Sequence, residues 1–371
     1  MMSKYLGLMS GTSLDAVSIV ILELPNFKLL HTHTYPIGFF LRKKCLSFTL
    51  NAQQICLPDL LETHVQFGKL FAAAVLDALR KYNLSATDIR AIGSHGQTIY
   101  HMPQGKHPYS LQIGDPNVIA YQTKINTIAD FRNPDIAAGG QGAPLAPILH
   151  ETLFRTVVEN RLIINLGGIA NISFLPSDFA KAVIGFDTGP ANSLLDAWVE
   201  KHLNKKYDAE GQWAASGKVI PELLNQLLQH PYFQKSYPKS TGKEIFNLHW
   251  LESQLESLGD YKPEDVQATL ALLSAKTLAQ ALKQLIQDFK LSKYNFYFCG
   301  GGVNNTDLIS RISKELKSEV YTTAHLGLDP EWVEASLMAL LAYKRIQSEK
   351  IDLRAITGSS EPILLGTPYS A

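Results

Sequence analysis

The sequence predicts an α/β protein of two related domains, and three observations lead to that prediction. A chain of 371 residues is longer than one hydrophobic core usually supports. Its opening reads as a strand, a tight turn and a second strand over residues 4–24. The same order returns over residues 161–174, where Gly167-Gly168 separates two apolar runs. The second half therefore repeats the strand–turn–strand order with which the first half begins.

Composition argues against several classes of protein. The 34 Lys and Arg residues balance the 34 Asp and Glu residues, so nothing indicates a nucleic-acid or membrane-surface partner. No stretch is apolar enough to span a membrane, and Gly7, Ser10, Gly11 and Asp15 interrupt the run that a signal peptide would need. The 3 cysteines lack metal-ligand spacing, which favours a reducing compartment. We expect a cytoplasmic protein.

The first turn has the composition of an anion site; its residues are Ser10-Gly11-Thr12-Ser13-Leu14-Asp15. Small residues let successive backbone N–H groups approach an anion, and the Thr12 and Ser13 hydroxyls add donors. Asp15 places a carboxylate beside that anion, which indicates a divalent cation that neutralises both. Taken alone, the segment is explained equally well as an ordinary hairpin turn.

Two later turns have a similar composition, and each lies between an apolar run and a helical pattern. They are Gly185-Phe186-Asp187-Thr188-Gly189-Pro190-Ala191-Asn192 and Cys299-Gly300-Gly301-Gly302-Val303-Asn304-Asn305. The N–H groups and the dipole at a helix N-terminus both favour an anion. Three such turns predict a nucleotide held by loops from both halves.

Asp187 is the predicted catalytic base. It ends an apolar run among small residues, where a carboxylate can accept a proton from an attacking oxygen. The alternative is an N-cap for the following helix, although Asn192 is already available for that. His95 and Gln97 follow a buried strand at 89–93, at the sheet edge where ligands collect. For His95, the alternative is a hydrogen bond within its own turn.

The segment Asp130–Leu145 reads as a polar loop rich in glycine. A flexible linker would explain the glycines, but it has no need for the fixed opposite charges of Asp130, Arg132 and Asp135. The planar guanidinium of Arg132 suits a substrate carboxylate.

Together these motifs resemble the actin-like ATPase superfamily of sugar kinases, Hsp70 and actin, and within it the anhydro-N-acetylmuramic acid kinase family. The resemblance runs nearly end to end and is carried by Gly7–Asp15, Ser94–Thr98, Ala129–Arg132, Asp135–Leu145, Asn165–Asn171, Phe186–Asn192, Lys239–Gly242, Gly300–Gly302 and Glu334-Ala335. It implies a two-domain actin-like, ribonuclease H-like fold with a central cleft. The implied domains are 1–130, joined by 350–371, and 131–349.

The resemblance also implies an activity in peptidoglycan recycling. Such a kinase uses ATP and Mg²⁺ to open the 1,6-anhydro ring of 1,6-anhydro-N-acetylmuramic acid with water and to phosphorylate O6, giving N-acetylmuramic acid 6-phosphate. Asp187 would take the proton of the water, Glu334 would hold the sugar, and Asp15 would organise the metal. Further substrate contacts would come from His95, Gln97, Asp130 and Arg132. The nucleotide would contact Ser10, Gly11, Thr12, Ser13, Leu14, Asp15, Gly167, Gly168, Asn171, Gly189, Gly300, Gly301, Gly302 and Asn304. A homodimer is also implied.

Two other interpretations stay open on the sequence. One is a conventional amino-sugar kinase in which Asp187 deprotonates a free hydroxyl, and the other is a non-catalytic, Hsp70-like nucleotide-binding module. Glu334 also lies where any carboxylate gains from a helix dipole. The family commonly has glycine at the positions of Ala16 and Ala191, and aspartate at that of Ser18. A methyl group there is unfavourable if the backbone needs positive φ.

Overall fold

The computed structural model describes residues 2–11, 14–50, 54–103, 105–256 and 258–371. These residues form two compact units. The first unit comprises Met1–Leu149 with Trp332–Ala371, and the second comprises His150–Glu331. The division therefore falls at 149/150 and 331/332, rather than near residues 130 and 350 as the sequence analysis expected.

The elements of both units are strands and helices. The strands are β1 (Ser3–Ser10), β2 (Ala16–Leu24), β3 (Lys28–Pro36), β4 (Ile89–Ser94), β5 (Gln97–Met102), β6 (Tyr109–Ile113), β7 (Thr127–Ala129), β8 (Asn160–Leu166), β9 (Ile169–Leu175), β10 (Ile184–Pro190), β11 (Tyr294–Cys299), β12 (Tyr321–Thr322) and β13 (Thr367–Tyr369). The helices are α1 (Phe39–Leu50), α2 (Leu57–Lys81), α3 (Pro116–Thr123), α4 (Asn133–Ala137), α5 (Ala146–Phe154), α6 (Asn192–Leu203), α7 (Gln212–Ser216), α8 (Pro221–Leu228), α9 (Leu248–Leu255), α10 (Pro263–Asp288), α11 (Thr306–Leu316) and α12 (Val333–Ile346).

The first unit is built on a mixed sheet with the strand order β3-β2-β1-β4-β7-β13. Strand β2 is antiparallel to β1 and to β3, whereas β4 is parallel to both β1 and β7. Leu6 and Leu8 of β1 belong to a buried apolar cluster with Phe67, Phe71 and Val75 of α2. Burial of this helix stripe against the sheet forms the core of the unit.

The second unit repeats this arrangement with the strand order β10-β9-β8-β11-β12. Strand β9 is antiparallel to β8 and to β10, and β11 is parallel to both β8 and β12. An antiparallel hairpin followed by parallel strands in each unit is the arrangement expected of a ribonuclease H-like fold. The predicted α/β fold class is confirmed.

Helix α12 belongs to the first unit because it packs directly on that unit's sheet. Gly7 of β1 and Gly93 of β4 are neighbours in register. A methyl group added to Gly7 would collide with the Ala335 carbonyl, and one added to Gly93 would collide with the Met338 carbonyl. The pair of glycines thus lets the helix backbone approach the strands, and the chain crosses back well before residue 350.

Residues 131–149 also belong to the first unit, because the C-terminal segment holds them there. The Gln141 amide donates to the Thr357 carbonyl at 3.0 Å, and the Ser360 amide donates to the Ala138 carbonyl at 2.8 Å. The loop predicted over 130–145 contains the short helix α4, and its remainder is anchored rather than flexible. Among the described residues, no helix has the length and apolarity to cross a membrane.

The approach of α12 to the sheet makes the glycines testable. We expect Gly93→Ala to lower the midpoint of thermal unfolding by about 5 °C or more, because the added methyl group must displace a backbone carbonyl. Gly38→Ala is the matched control, since a methyl group there meets no atom within 4 Å. Equal midpoints for the two variants in a calorimetric scan would contradict this packing.

Candidate active site

The turn between β1 and β2 is organised by its backbone and by neighbouring polar groups. The Leu14 amide donates to the Gly11 carbonyl at 3.1 Å, and the Leu14 side chain is buried, so its contribution to the turn is its backbone. Ser10 Oγ donates to Gln97 Oε1 at 2.7 Å, which joins two predicted site residues. Thr12 and Ser13, predicted to bind phosphate, lie outside the described residues.

Asp15 lies at the end of this turn and is half-exposed. Its Oδ1 lies 3.5 Å from Arg42 Nε. The fold thus brings Arg42 of α1 to the turn. A carboxylate in this position can exchange a loose ion pair for a cation, because surface pairs contribute little free energy.

His95 and Arg132 form a fixed pair in the first unit. Arg132 donates to His95 Nε2 from Nε at 3.1 Å and from Nη2 at 2.9 Å, and Arg132 Nη1 donates to the Gly142 carbonyl at 2.7 Å. Because guanidinium only donates, Nε2 is the acceptor, and Nδ1–H donates to the Gly96 carbonyl at 2.9 Å. Burial and the Arg132 charge lower the pKa of His95 to about 3. The ring is therefore neutral and in one tautomer.

A buried carboxylate supports this pair from behind. Asp135 is 0% exposed; its Oδ2 accepts from the Gly142 amide at 2.6 Å, and its Oδ1 accepts from Thr357 Oγ1 at 2.7 Å. The contacts form a chain from Asp135 through Gly142 to Arg132 and then to His95. Asp135 was predicted only as a charge of the loop, and in the structure it anchors this chain of contacts.

Asp130 and Glu334 are the remaining predicted substrate residues of this unit. Asp130 has a φ of 57°, and its Oδ1 accepts from Asn133 Nδ2 at 2.7 Å. Glu334 lies in the first turn of α12 and is exposed. The pKa of Glu334 is raised, because the surrounding protein excludes water from its carboxyl group, and the Arg132 charge opposes this rise. Glu334 and Arg132 therefore interact electrostatically within the first unit.

Asp187 lies in the middle of β10 and is 5% exposed. Its Oδ2 accepts from the Thr241 amide at 3.0 Å, and its own amide donates to the Lys239 carbonyl at 3.0 Å. Tyr232 Oη donates to the Asp187 carbonyl at 2.7 Å. One bond thus holds the carboxylate and two hold the main chain of Asp187, and these three bonds come from one segment, residues 232–241.

The segment that holds Asp187 contains the Lys239-Ser240-Thr241-Gly242 motif, whose role the sequence left undefined. The sequence shows no cation beside Asp187, but the fold brings Lys239 close. Burial and Lys235 lower the pKa of Lys239 to about 8, while Asp187 acts in the opposite direction. The motif is visible in the sequence, but Asp187, which it contacts in the fold, lies about fifty residues away in the chain.

The turn between β8 and β9 packs against the start of α6. The Gly167 carbonyl accepts from the Asn192 amide at 3.1 Å and from Asn192 Nδ2 at 2.7 Å. The Gly168 carbonyl accepts from the amides of Ala191 and Ser193, each at 3.0 Å. These N–H groups bind the turn between β8 and β9, so an anion at this helix N-terminus would need other donors.

The backbone tolerates the alanines that replace the family's glycines. Ala191 has a negative φ of −114°. Ala16 is the first residue of β2 and pairs with Pro36. Neither position has the positive φ that favours glycine. Gly189 differs, because its φ is 151° and an added methyl group would meet Phe233 at 2.8 Å.

Asn171 lies opposite Asp187 in the pairing of β9 with β10. Its Oδ1 is buried and has no hydrogen-bond partner among the described residues. An unsatisfied buried oxygen is unfavourable by about 1–3 kcal/mol, so such an atom indicates a ligand or water donor. The geometry thus supports a polar ligand next to Asp187.

The glycine turn after β11 has one packed side and one open side. A methyl group on Gly300 would collide with Asn165 Oδ1, and one on Gly302 would meet Asn192 Nδ2 at 2.8 Å. A methyl group on Gly301 would meet no atom within 4 Å, and Asn304 is exposed. The turn is therefore fixed on the β8–β9 side and accessible at Gly301.

Metal binding by the protein alone is not indicated. Within the described ranges, no group of three or more His, Cys, Asp or Glu side chains could hold a metal ion. Mg²⁺ is commonly held by one or two carboxylates, water and substrate phosphates, and a single Asp15 fits that pattern.

The His95–Arg132 pair leads to a spectroscopic prediction. We expect the ring nitrogens of His95 to show no titration between pH 8 and pH 5 in ¹⁵N NMR, with Nδ1 protonated, because the pKa lies near 3. The signals are assigned by their loss in His95→Gln. A His95 titration near the ordinary histidine value of about 6.5 would contradict the buried pair.

Comparison with known proteins places this geometry in a family. The family model described as anhydro-N-acetylmuramic acid kinase matches residues 3–371. A protein of that name from Coxiella burnetii is 47% identical over 367 residues, covering 99% of this chain and 97% of that protein. One from Shewanella oneidensis is 46% identical, covering 99% of this chain and 98% of that protein. The chain belongs to the anhydro-N-acetylmuramic acid kinase family and is a kinase.

Proposed function

We propose that this kinase uses ATP to open 1,6-anhydro-N-acetylmuramic acid with water and to phosphorylate its O6, giving N-acetylmuramic acid 6-phosphate, with Asp187 as the base. The observation that carries the proposal is the Asp187 carboxylate, which the Thr241 amide holds within β10 in a member of this family. A backbone amide donating to a carboxylate favours its ionised form, which is the form that accepts a proton.

Asp187 would act on the water that attacks the anomeric carbon. The water oxygen bonds to C1 as the C1–O6 bond breaks, and Asp187 accepts the proton that the water loses. The released O6 then attacks the γ-phosphorus of ATP as the bond from that phosphorus to ADP breaks, so the leaving oxygen of the first step is the nucleophile of the second and ADP is released. One base suffices for this sequence. When bound, ATP supplies the phosphoryl group and Mg²⁺ neutralises charge on it.

The residues around the turns fit a nucleotide and its metal. Gly301 is open to a ligand, and the buried Asn171 Oδ1 needs a donor. Asp15 offers a half-exposed carboxylate for Mg²⁺ beside the backbone turn at Gly11. We therefore assign the nucleotide contacts predicted from the sequence to the turns after β1, β8, β10 and β11.

The sugar contacts are assigned to the first unit. The Arg132 guanidinium, held by His95 and Gly142, would bind the lactyl carboxylate of the sugar. Glu334, Gln97 and Asp130 would bind hydroxyl or amide groups. Because the chain from Asp135 to His95 is preformed, little side-chain entropy is lost when the sugar binds.

The remaining proposals concern setting and assembly. Cys45, Cys56 and Cys299 are all free thiols, which supports a reducing, cytoplasmic location. The homodimer implied by the resemblance stays a prediction, and sedimentation velocity checks it.

The central test follows the oxygen of water. After incubation with Mg-ATP and the anhydro sugar in ¹⁸O-water, we expect prompt mass spectrometry to find a 6-phosphate with one ¹⁸O at the anomeric position. Asp187→Asn should lower kcat by about 10²–10⁴-fold, the usual contribution of a general base. Asp260→Asn, a change at an exposed carboxylate of the same unit, is the control and should retain activity.

Other results distinguish the alternatives. Phosphorylation of free N-acetylmuramic acid, with no product from the anhydro sugar, would indicate a conventional amino-sugar kinase. Nucleotide binding without any product from either sugar would indicate a non-catalytic module.

The role of Arg132 is tested by substrate choice. We expect Arg132→Met to lower kcat/KM for 1,6-anhydro-N-acetylmuramic acid by about tenfold or more, because a charge-assisted contact to a carboxylate is lost. The KM for ATP should change little. The matched comparison is 1,6-anhydro-N-acetylglucosamine, which lacks the lactyl group. Equal losses of kcat/KM on both sugars would show that Arg132 does not bind the lactyl carboxylate.

A further inference from the structure

The segment around Lys239 contacts Asp187 through main-chain groups and through the Tyr232 side chain. The Lys239 carbonyl accepts from the Asp187 amide, and the Thr241 amide two residues later donates to Asp187 Oδ2. Tyr232 Oη donates to the Asp187 carbonyl. The segment therefore holds Asp187 by its amide, its carbonyl and its carboxylate.

The Lys239 side chain is itself fixed within this segment. It is 8% exposed. Its Nζ donates to the Tyr232 carbonyl at 3.3 Å and lies 4.8 Å from the centroid of the Tyr232 ring. A buried ammonium group on the face of an aromatic ring gains a cation–π interaction that partly replaces its hydration. Tyr232 thus contacts both the ammonium group and the backbone of Asp187.

Several charged groups lie around Tyr232 in this segment. Asp187 and Glu244 raise the pKa of Tyr232 in addition to burial, so the phenol remains a neutral donor. Exclusion of water by the surrounding protein raises the pKa of Glu244. Lys235 Nζ lies 5.9 Å from the centroid of the same Tyr232 ring and lowers the pKa of Lys239. Asp187 raises the pKa of Lys239, so these two opposite charges attract each other.

We propose that Lys239 is a positioning residue for the catalytic base, because its ammonium group, fixed on Tyr232, keeps the Asp187 carboxylate ionised as the pH falls. This inference rests on the proposed function, in which Asp187 accepts the proton of the attacking water. An opposite charge near a carboxylate favours its charged form. Lys239 reaches no reacting atom in this scheme and acts through Asp187.

The test is the pH profile of kcat/KM for the anhydro sugar. Lys239→Met removes the charge and keeps the length of the side chain, so the acidic limb should move upward by about one pH unit. Lys239→Arg keeps the charge, and its limb should stay within a few tenths of a unit of the wild-type position. Lys205→Met, which removes an exposed charge of the same unit, should leave the whole profile unchanged.

Tyr232→Phe separates the two functions of the segment. It removes the bond to the Asp187 carbonyl but keeps the ring under the ammonium group, so it should lower the plateau without moving the acidic limb. If Lys239→Met does not fold, Lys239→Gln carries the same test, with the unfolding midpoint measured beside each profile.

Two outcomes would overturn this inference alone. With Asp187→Asn inactive, a Lys239→Met profile with a lower plateau and an unmoved acidic limb would make the residue merely structural. An increase in KM alone would make it a substrate contact. An Asp187→Asn variant with normal activity would instead refute the assignment of the base, whatever the Lys239 variants do.

Discussion

Close contact between backbones at glycine residues is the constraint on which both units depend. In the first unit, Gly7 and Gly93 let α12 lie directly on β1 and β4. In the second, Gly300 and Gly302 let one turn lie against the end of β8 and the start of α6. In the first unit these contacts are made with backbone carbonyls, and in the second they also include the Asn165 and Asn192 side chains, so little can rearrange there without moving a strand or a turn. The turns after β1 and β8 follow strands fixed in this way.

Backbone contacts also hold the Asp187 carboxylate within β10. The pairing of β10 with β9 shifts between Asp187 and Gly189, so the regular ladder is interrupted beside the predicted base and resumes at Gly189. There the Asp187 amide bonds to the Lys239 carbonyl, and the Thr241 amide bonds to the Asp187 carboxylate. A group fixed by backbone contacts loses little entropy when a substrate arrives, which is the physical basis of preorganised catalysis.

The local patterns of the sequence predicted the hairpins and the glycine turns, because each depends on neighbouring residues, whereas the role of Asp187 stays a prediction. Contacts across long stretches of chain were not predictable. Lys239 lies far from Asp187 in sequence, and Asp135 meets Thr357 only in the folded first unit. At the α6 N-terminus, the Gly167 and Gly168 carbonyls occupy N–H groups that the sequence predicted as free anion donors. A helix start predicts free donors only where no tertiary acceptor is present.

The most direct measurement is a crystal structure of the enzyme with Mg²⁺, a non-hydrolysable ATP analogue and 1,6-anhydro-N-acetylmuramic acid. The account predicts an ordered water within about 3 Å of the Asp187 carboxylate, on the face of the anomeric carbon opposite O6, with the Thr241 amide still bound to Asp187. A carboxylate bound to a sugar hydroxyl, with no water beside the anomeric carbon, would contradict it.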